Sequence, residues 1–271
     1  MSLNNMIAVV TGAGRGIGRA MALELASQGA RVALVARSAD ELKATREMVT
    51  KAGGEAMAVR ADITDRTAVA GTFEEVRKRF GEIDLLVNNA GSFLGIGPVW
   101  EVDPELWLQD VTTNMYGTFL CCRAAIPAMR KRKHGRIINL IGGGTASAFP
   151  YGSGYGSSKA AIMRFTESLA EELSDEGIAV FALDPGLVRT GMTEYQLKSA
   201  EGRKWLPRIK ELFEQGVDGP PERAARLVCA LAGGEYDRFS GRGFTVRDDL
   251  DQIRREAEEI LAGDRMKLRV L

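Results

Sequence analysis

Tyr155 and Lys159, four residues apart, are the pair in this sequence best suited to proton transfer. On a helix, side chains at this spacing lie on one face. A phenol with a pKa of about 10 is a weak base at neutral pH, but a neighbouring ammonium group favours its ionised form. We therefore expect Lys159 to lower the pKa of Tyr155, and Tyr155 to exchange a proton with a substrate oxygen.

A second group of residues has the spacing of a phosphate-binding turn. Glycines are frequent in this chain, 31 of 271 residues, and several of them follow the apolar run 6–11 and precede a helical pattern. Glycine allows a tight turn and a close approach of the backbone to a pyrophosphate, to which a helix N-terminus offers free N–H groups. This context predicts a dinucleotide-binding turn made by Gly12, Gly14, Arg15, Gly16, Ile17 and Gly18.

The residues after the second apolar run bear on which dinucleotide binds. An acid at this place would accept hydrogen bonds from the 2′-hydroxyl of the adenosine ribose and disfavour a 2′-phosphate. The run ends instead in Ala36, Arg37 and Ser38. Arg37 and Arg15 have the charge to hold a 2′-phosphate, with Ser38 as a further donor. The sequence favours NADP(H), with NAD(H) as the alternative if both arginines only face solvent.

Apolar runs alternate with helical patterns along the whole chain. Runs typical of strands occupy residues 6–11, 31–36, 56–60, 83–87, 136–141, 178–183 and 243–247. Helical spacing occupies residues 20–27, 39–52, 67–80, 106–132, 155–173, 222–231 and 249–261. This alternation predicts βαβ units with helices on both faces of a parallel sheet. We predict an α/β fold, a single doubly wound Rossmann domain over residues 1–247, and a helical C-terminal extension over residues 248–271.

Composition excludes several other classes of protein. Lys plus Arg and Asp plus Glu both number 36, so no net basic charge supports nucleic acid as a partner. The sequence has neither an apolar run long enough to span a membrane nor a secretory signal pattern. Three cysteines without metal-ligand spacing and a single histidine, His134, argue against disulfides and a metal site. We expect a cytoplasmic protein that acts on a small molecule.

The motifs taken together resemble the short-chain dehydrogenase/reductase family, of the type with roughly 250 residues. The resemblance covers residues 5 to 247, nearly the whole chain. The residues that carry it, in chain order, are Thr11–Gly18, Asp62, Asn88-Asn89-Ala90-Gly91, Asn114, Tyr155-Gly156-Ser157-Ser158-Lys159 and Pro185-Gly186-Leu187-Val188-Arg189-Thr190.

The resemblance implies a role for each motif. Tyr155, Lys159 and Asn114 are the expected catalytic residues, with Lys159 also binding the nicotinamide ribose and Asn114 ordering a water that links Lys159 to solvent. Other residues are expected to contact the cofactor: Asp62 and Ile63 at the adenine, Asn88, Ala90 and Gly91 at the ribose, and Pro185, Gly186, Val188 and Thr190 on the nicotinamide side. Homodimers or homotetramers are common in the family, although the C-terminal extension puts the usual contact at that end in doubt.

Gly142 departs from the family pattern. The family places a serine after the fifth strand at this position, and its hydroxyl holds the substrate oxygen. Three alternatives remain open: a shifted loop brings the hydroxyl of Thr145, Ser147 or Ser153 into place; backbone N–H groups or the substrate compensate; or the chemistry is weak or altered. The first of these is our hypothesis.

The sequence therefore predicts an oxidoreductase that transfers hydride between NADP(H) and an alcohol or carbonyl, with Tyr155 as the general acid/base. A regulatory cofactor-binding protein and a non-redox lyase are the alternatives that Gly142 leaves open. Arg189 is a candidate contact for an anionic substrate. Apolar side chains expected at the pocket suggest an apolar substrate, unless they only pack the lid: Phe93, Leu94, Phe149, Tyr151, Met192, Tyr195 and Trp205.

Overall fold

The computed structural model describes residues 3–269, in which seven parallel strands form a sheet. The strands are β1 (Ile7–Thr11), β2 (Arg31–Ala36), β3 (Glu55–Arg60), β4 (Leu85–Asn88), β5 (Gly135–Leu140), β6 (Ile178–Asp184) and β7 (Gly243–Thr245). Their order is β3-β2-β1-β4-β5-β6-β7. From β1 the chain adds β2 and β3 on one side of the sheet, and from β4 it adds β5, β6 and β7 on the other side. Ligands of doubly wound proteins bind beyond the carboxyl ends of the strands at the point where the strand order changes sides. The predicted doubly wound α/β fold is confirmed.

Helices cover both faces of the sheet. They are α1 (Gly16–Ser27), α2 (Ala39–Lys51), α3 (Arg66–Phe80), α4 (Pro104–Val111), α5 (Gly117–Arg132), α6 (Ser153–Glu172), α7 (Gly191–Lys198), α8 (Ala200–Trp205), α9 (Pro207–Glu214), α10 (Glu222–Ala232), α11 (Leu250–Arg255) and α12 (Ala257–Ala262). Within residues 3–269, no helix combines the length and apolarity needed to cross a bilayer.

The helices begin where side chains satisfy their free N–H groups. Ser38 Oγ accepts from the Glu41 N–H at the start of α2, Asp65 caps α3, and Asp103 caps α4 ahead of Pro104. Such caps stabilise a helix by about 1 kcal/mol each. Two of these starts matter for function, since α2 begins beside the dinucleotide turn and α4 leads towards Asn114.

The long helix predicted over residues 106–132 is interrupted. A π-helical turn at Thr112–Tyr116 separates α4 from α5 and contains Asn114. Its buried side chain bonds to the loop after β4, and Thr118 Oγ1 donates to the Asn114 carbonyl at 2.7 Å. Turns of this kind often occur at functional sites because they redirect a side chain without ending the helix.

Two apolar layers hold the helices to the sheet. Along β2, Val32 and Leu34 face the layer that α1, α2 and α10 cover, whereas Ala33 and Val35 face the layer that α3, α5 and α6 cover. Successive side chains of a strand point to opposite faces, so a strand buried on both sides must be apolar throughout. This explains the continuous apolar runs of the sequence.

The C-terminal extension packs on the body of its own chain. Ile253, Ala257 and Ile260, from α11 and α12, are buried in the same layer as α1 and α10. The Arg242 guanidinium donates to the Ile260 carbonyl at 2.6 Å. The Gly243 N–H donates to the Met266 carbonyl at 2.8 Å. Residues 270 and 271, the end of the predicted apolar tail, lie outside the described residues.

Candidate active site

A cavity of about 400 Å³ opens at the point where the strand order reverses, beyond the carboxyl ends of β1 and β4. Most of the residues predicted to bind a cofactor line it: Gly12, Gly14, Arg15, Gly16, Ile17, Gly18, Arg37, Ser38, Asp62, Ile63, Ala90, Gly91, Tyr155, Lys159, Pro185 and Thr190. The tertiary structure thus brings together residues that are far apart in the sequence.

The turn between β1 and α1 is built for glycine. Gly12 has a φ of +65°, in the left-handed region that other residues rarely adopt. A Cβ on Gly18 would overlap the Gly12 carbonyl oxygen, and one on Gly14 would lie 2.9 Å from the Glu41 Cβ. No side chain therefore covers the backbone at the start of α1, and no side chain caps its first N–H groups. These residues fit a dinucleotide pyrophosphate.

The other end of the cavity carries charges of both signs. Arg15 Nη1 lies 3.4 Å from the Glu41 carboxylate, and Arg37 Nη1 lies 4.0 Å from the Asp62 carboxylate. Both arginines are well exposed and free to turn towards a phosphate. The sequence interpretation did not consider Glu41, whose carboxylate opposes a 2′-phosphate unless Arg15 neutralises it. Its position three residues after the Ser38 cap was the available signal.

The two asparagines after β4 have different tasks. Asn88 is buried under the sheet, where its amide donates to Asn139 Oδ1 at 2.8 Å, and it does not line the cavity. This bond joins β4 to β5 within the sheet, and the position of Asn88 gives no support for the predicted contact with the cofactor ribose. Asn89 does line the cavity, and its amide donates to the Thr11 carbonyl at 2.8 Å, which ties β4 to the glycine turn.

Tyr155 and Lys159 share one face of α6, as predicted. Lys159 Nζ lies 5.6 Å from the centroid of the Tyr155 ring and donates to the Leu140 carbonyl at 2.8 Å. The Tyr155 hydroxyl makes no hydrogen bond to another residue within 3–269, and Tyr155 lines both the cofactor cavity and the neighbouring one described below. Its proton is thus directed at whatever binds there.

Burial dominates the electrostatics of this pair. It raises the pKa of the Tyr155 phenol above its ordinary value, and the carboxylates of Asp184 and Asp110 raise that pKa further. Burial also lowers the pKa of Lys159 to about 8, against an opposing effect of Asp184. The expected lowering of the Tyr155 pKa is therefore absent, because loss of hydration penalises the phenolate. At neutral pH Tyr155 keeps its proton and can act as an acid.

Asn114 links the loop after β4 to the helix that carries the pair. Its side-chain oxygen accepts from the Ser92 N–H at 2.8 Å, and its amide donates to the Ser92 carbonyl and to Ser158 Oγ, each at 2.9 Å. Ser158 lies between Tyr155 and Lys159 in the sequence. Asn114 is thus part of the frame beneath the site, while the water that it was expected to order stays a prediction.

Gly142 lies directly against the Tyr155 hydroxyl. A Cβ at position 142 would be 2.7 Å from Tyr155 Oη. None of the three hydroxyls considered as substitutes lines either of the two cavities beside Tyr155, so the substitution stays a prediction. Thr145 Oγ1 bonds to the Gly142 backbone, Ser153 Oγ accepts from Trp107 Nε1 at 3.0 Å, and Ser147 is exposed and lines neither cavity.

A second cavity, of about 350 Å³, adjoins Tyr155 and Gly142. Of the apolar residues expected at the substrate, Phe93, Phe149 and Met192 line it, together with Gly186 and Val188. The others, Leu94, Tyr151, Tyr195 and Trp205, do not line it, and Tyr151 stacks on Trp205 instead.

Gln196, which sequence reasoning missed, contributes an amide to the wall of this cavity. The residue is 5% exposed, and its amide makes no hydrogen bond to another described residue. Its place on α7 could not be read from a motif. Among residues 3–269, no group of His, Cys, Asp and Glu side chains is arranged to hold a metal ion.

The doubly wound fold and the glycine turn are those of the dinucleotide-binding class of proteins. The family model described as short chain dehydrogenase matches residues 6–201. The chain is 35% identical over 255 residues to the 3-oxoacyl-(acyl-carrier-protein) reductase FabG of Escherichia coli. The matched region covers 93% of this chain and 100% of that protein. The chain therefore belongs to the short-chain dehydrogenase/reductase family and is of the oxidoreductase type.

Solved structures agree with this assignment. The crystal structure of an actinorhodin polyketide ketoreductase variant with NADPH has a TM-score of 0.81 at 31% identity, over 91% of this chain and 97% of that one. The crystal structure of NAD⁺-bound xylitol dehydrogenase has a TM-score of 0.82 at 28% identity, over 90% and 98% of the two chains. The family binds NAD(P)H, and these relatives include one structure with each form.

Proposed function

We propose that this protein reduces a carbonyl compound with NADPH, or runs the reverse alcohol oxidation, with Tyr155 as the general acid/base. The observation that carries the proposal is the Tyr155 hydroxyl, which is unpartnered and protonated at neutral pH where the two cavities meet. A general acid must face the oxygen that receives its proton, and a phenol with a raised pKa retains that proton until then.

The residues divide the work of the reaction. The free N–H groups of the glycine turn would bind the pyrophosphate, and Pro185, Gly186, Val188 and Thr190 would line the nicotinamide end. A bound nicotinamide supplies or accepts the hydride. Tyr155 gives its proton to the carbonyl oxygen in reduction and takes it back in oxidation. Lys159 is charged below about pH 8 and steadies the phenolate left after proton transfer.

NADP(H) is the cofactor that we propose, because Arg37 and Arg15 line the ribose end of the cavity and β2 ends without an acid. Glu41 is the opposing feature. Arg15 pairs with Glu41, and Arg37 lies 4.0 Å from Asp62, which is a weak contact at an exposed site. Arg37 can therefore turn to a 2′-phosphate, to which it would make a charge-assisted contact. The NADPH-bound ketoreductase relative is consistent with this choice.

The substrate that fits the second cavity is apolar with one remote polar group. Phe93, Phe149 and Met192 supply apolar walls. The amide of Gln196 makes no hydrogen bond within residues 3–269 and lines the cavity, so it is free to bond to a polar group of a ligand. A ketone with a second oxygen or amide function would supply such a group.

Loss of the Tyr155 hydroxyl tests the proposed function. We expect Tyr155→Phe to lower turnover by about 10²- to 10⁴-fold, the usual worth of a general acid, while NADPH affinity is retained. NADPH oxidation would be followed with acetoacetyl-CoA and a panel of cyclic and aryl ketones. Tyr236→Phe, in the core away from both cavities, is the matched control. Full activity of Tyr155→Phe would reject Tyr155 as the acid.

Gly142 supports a second candidate, a cofactor-binding protein without redox turnover or with lyase chemistry. Without a hydroxyl at position 142, the substrate oxygen lacks a donor that can be worth about 2.7–4 kcal/mol in comparable sites. Tight NADPH binding with no oxidation or reduction of any compound in the panel would favour this candidate over the first.

We further propose that the chain self-associates as a homodimer or homotetramer. Tyr116 and Phe119 are exposed at the start of α5, and Phe119 lies edge-on to Phe165 of α6 with ring centroids 6.4 Å apart. Phe165 is half-buried, so Tyr116 and Phe119 supply the exposed aromatic surface, and aromatic residues are enriched at protein interfaces. The C-terminal extension covers a different part of the molecule, beside β7.

A further inference from the structure

Asp110 is a carboxylate that the chemistry described above does not use. It lies on α4, is 0% exposed and has no cationic partner within residues 3–269. A buried carboxylate is costly unless hydrogen bonds satisfy it. Burial raises the pKa of Asp110, and hydrogen bonds from Ser92, Gly95 and Leu94 oppose that rise. The position of these donors indicates its purpose.

All the donors come from the loop after β4, on both sides of Phe93. Ser92 Oγ donates to Asp110 Oδ1 at 2.6 Å, the Leu94 N–H lies 2.9 Å from both carboxylate oxygens, and the Gly95 N–H donates to Oδ2 at 2.8 Å. Asn114, one helical turn after Asp110, bonds to both the N–H and the carbonyl of Ser92. Hydrogen bonds therefore hold Ser92, Leu94 and Gly95, the residues on both sides of Phe93.

Phe93 transmits this constraint to the acid/base tyrosine. Its ring is 2% exposed and stacks on the Tyr155 ring, with centroids 4.5 Å apart and planes 12° apart. Phe149 meets Phe93 edge-on at 5.6 Å and Tyr155 at 6.0 Å. With glycine at 142, no side-chain hydroxyl there can hold the phenol. The aromatic rings are what orient it.

We propose that Asp110 is a positioning residue for catalysis: it fixes the 92–95 loop so that the Phe93 ring holds Tyr155 in place, the orienting task that a side chain at position 142 cannot perform. This inference rests on the proposed role of Tyr155. Asp110 acts through Phe93 and touches neither cofactor nor substrate.

Removal of the carboxylate should release the tyrosine without loss of the cofactor site. Misplacement of a reacting group by about 1 Å can cost up to 10²-fold, so Asp110→Ala and Phe93→Ala should each lower kcat by about 10- to 100-fold. NADPH affinity should stay within about threefold, since neither residue lines the cofactor cavity. The double variant should be no slower than the slower single variant, because both changes break the same chain of contacts.

Asp110→Asn separates the charge from the positioning. Its amide oxygen can accept from the Leu94 and Gly95 N–H groups while its NH₂ donates to Ser92 Oγ, so the loop and most of kcat should be retained. The loss of negative charge should lower the pKa of Tyr155, seen as a shift of the acidic limb of alcohol oxidation to lower pH. Asp103→Asn, an exposed cap on the same helix, should change neither kcat nor the profile.

The decisive measurements are kcat and KM for the best ketone of the panel, and titration of the Tyr155 ring by NMR of ¹³C-tyrosine protein with bound NADP⁺, assigned with Tyr155→Phe. Multiplying losses in the double variant, an unchanged kcat in Asp110→Ala, or a loss of kcat in Asp110→Asn as large as in Asp110→Ala would each overturn the inference. If Asp110→Ala does not fold, Phe93→Leu tests the stack, and unchanged kcat there is equally contrary. Failure of the proposed function would show separately, as full activity of Tyr155→Phe.

Discussion

Gly142→Ala is the sharpest perturbation that the structure offers, because it adds a single methyl group against the reacting oxygen. The backbone at this position does not need glycine, since Gly142 has no positive φ. The added Cβ would lie 2.7 Å from Tyr155 Oη, whereas ordinary contact begins near 3.4 Å. The hydroxyl would have to move by the difference, more than half an ångström.

The surrounding rings limit how the tyrosine can respond. Phe93 lies flat against one face of the Tyr155 ring and Phe149 is in contact with it as well. The displacement therefore falls on the hydroxyl. If a shift of about 1 Å costs up to 10²-fold, this smaller shift should lower kcat by about 10-fold or slightly more. That is a rise of about 1.4 kcal/mol in the activation barrier.

The assay compares kcat for ketone reduction with NADPH affinity measured by fluorescence. Gly71→Ala is the matched control, because a Cβ at position 71 of α3 meets nothing within 4 Å. Gly142→Ser carries the same steric penalty but adds a donor for the substrate oxygen, and we expect it to be faster than Gly142→Ala. If Gly142→Ala is as active as Gly71→Ala, the Tyr155 hydroxyl does not work from the place described here.

Three further changes test other parts of the molecule. Arg37→Met should weaken NADPH binding by about 10-fold or more with little effect on NADH, and Glu41→Gln should strengthen NADPH binding; equal effects on both cofactors in titrations would reject the 2′-phosphate site. Lys159→Met should raise the free energy of unfolding at pH 7 by about 1–2 kcal/mol. The lowered pKa of Lys159 corresponds to a cost of about 3 kcal/mol for keeping the lysine charged in the folded protein, and the loss of its bond to the Leu140 carbonyl offsets part of the gain. Between about pH 8 and 10.5 the unfolded wild type binds more protons than the folded wild type, so the free energy of unfolding of the wild type rises with pH in that window. The difference in free energy of unfolding between Lys159→Met and the wild type should therefore narrow in denaturant titrations, and a constant difference would contradict the burial of a charged lysine. Phe119→Glu should dissociate the proposed oligomer in light scattering, and an unchanged mass would place the interface elsewhere.

Local pattern was sufficient for the elements and the motifs. The apolar runs that became β1 and β2 and the glycines before α1 depend on near neighbours in the chain, because strand burial and tight turns restrict residue type directly. The spacing of Tyr155 and Lys159 was equally reliable, since helical periodicity places both on one face. For the same reason the interrupted helix at Asn114 was missed, as its π-turn arises from bonds to a loop more than 20 residues away.

What the sequence determined by itself was therefore the family and the doubly wound fold, and it predicted the acid/base pair. Only the tertiary structure decided the electrostatics of that pair: burial raises the pKa of Tyr155 and lowers the pKa of Lys159. It also placed the Tyr155 hydroxyl against Gly142 and brought Asp110, Glu41 and Gln196 to the site. Desolvation and aromatic packing act between residues that are distant along the chain, so no local pattern carries them.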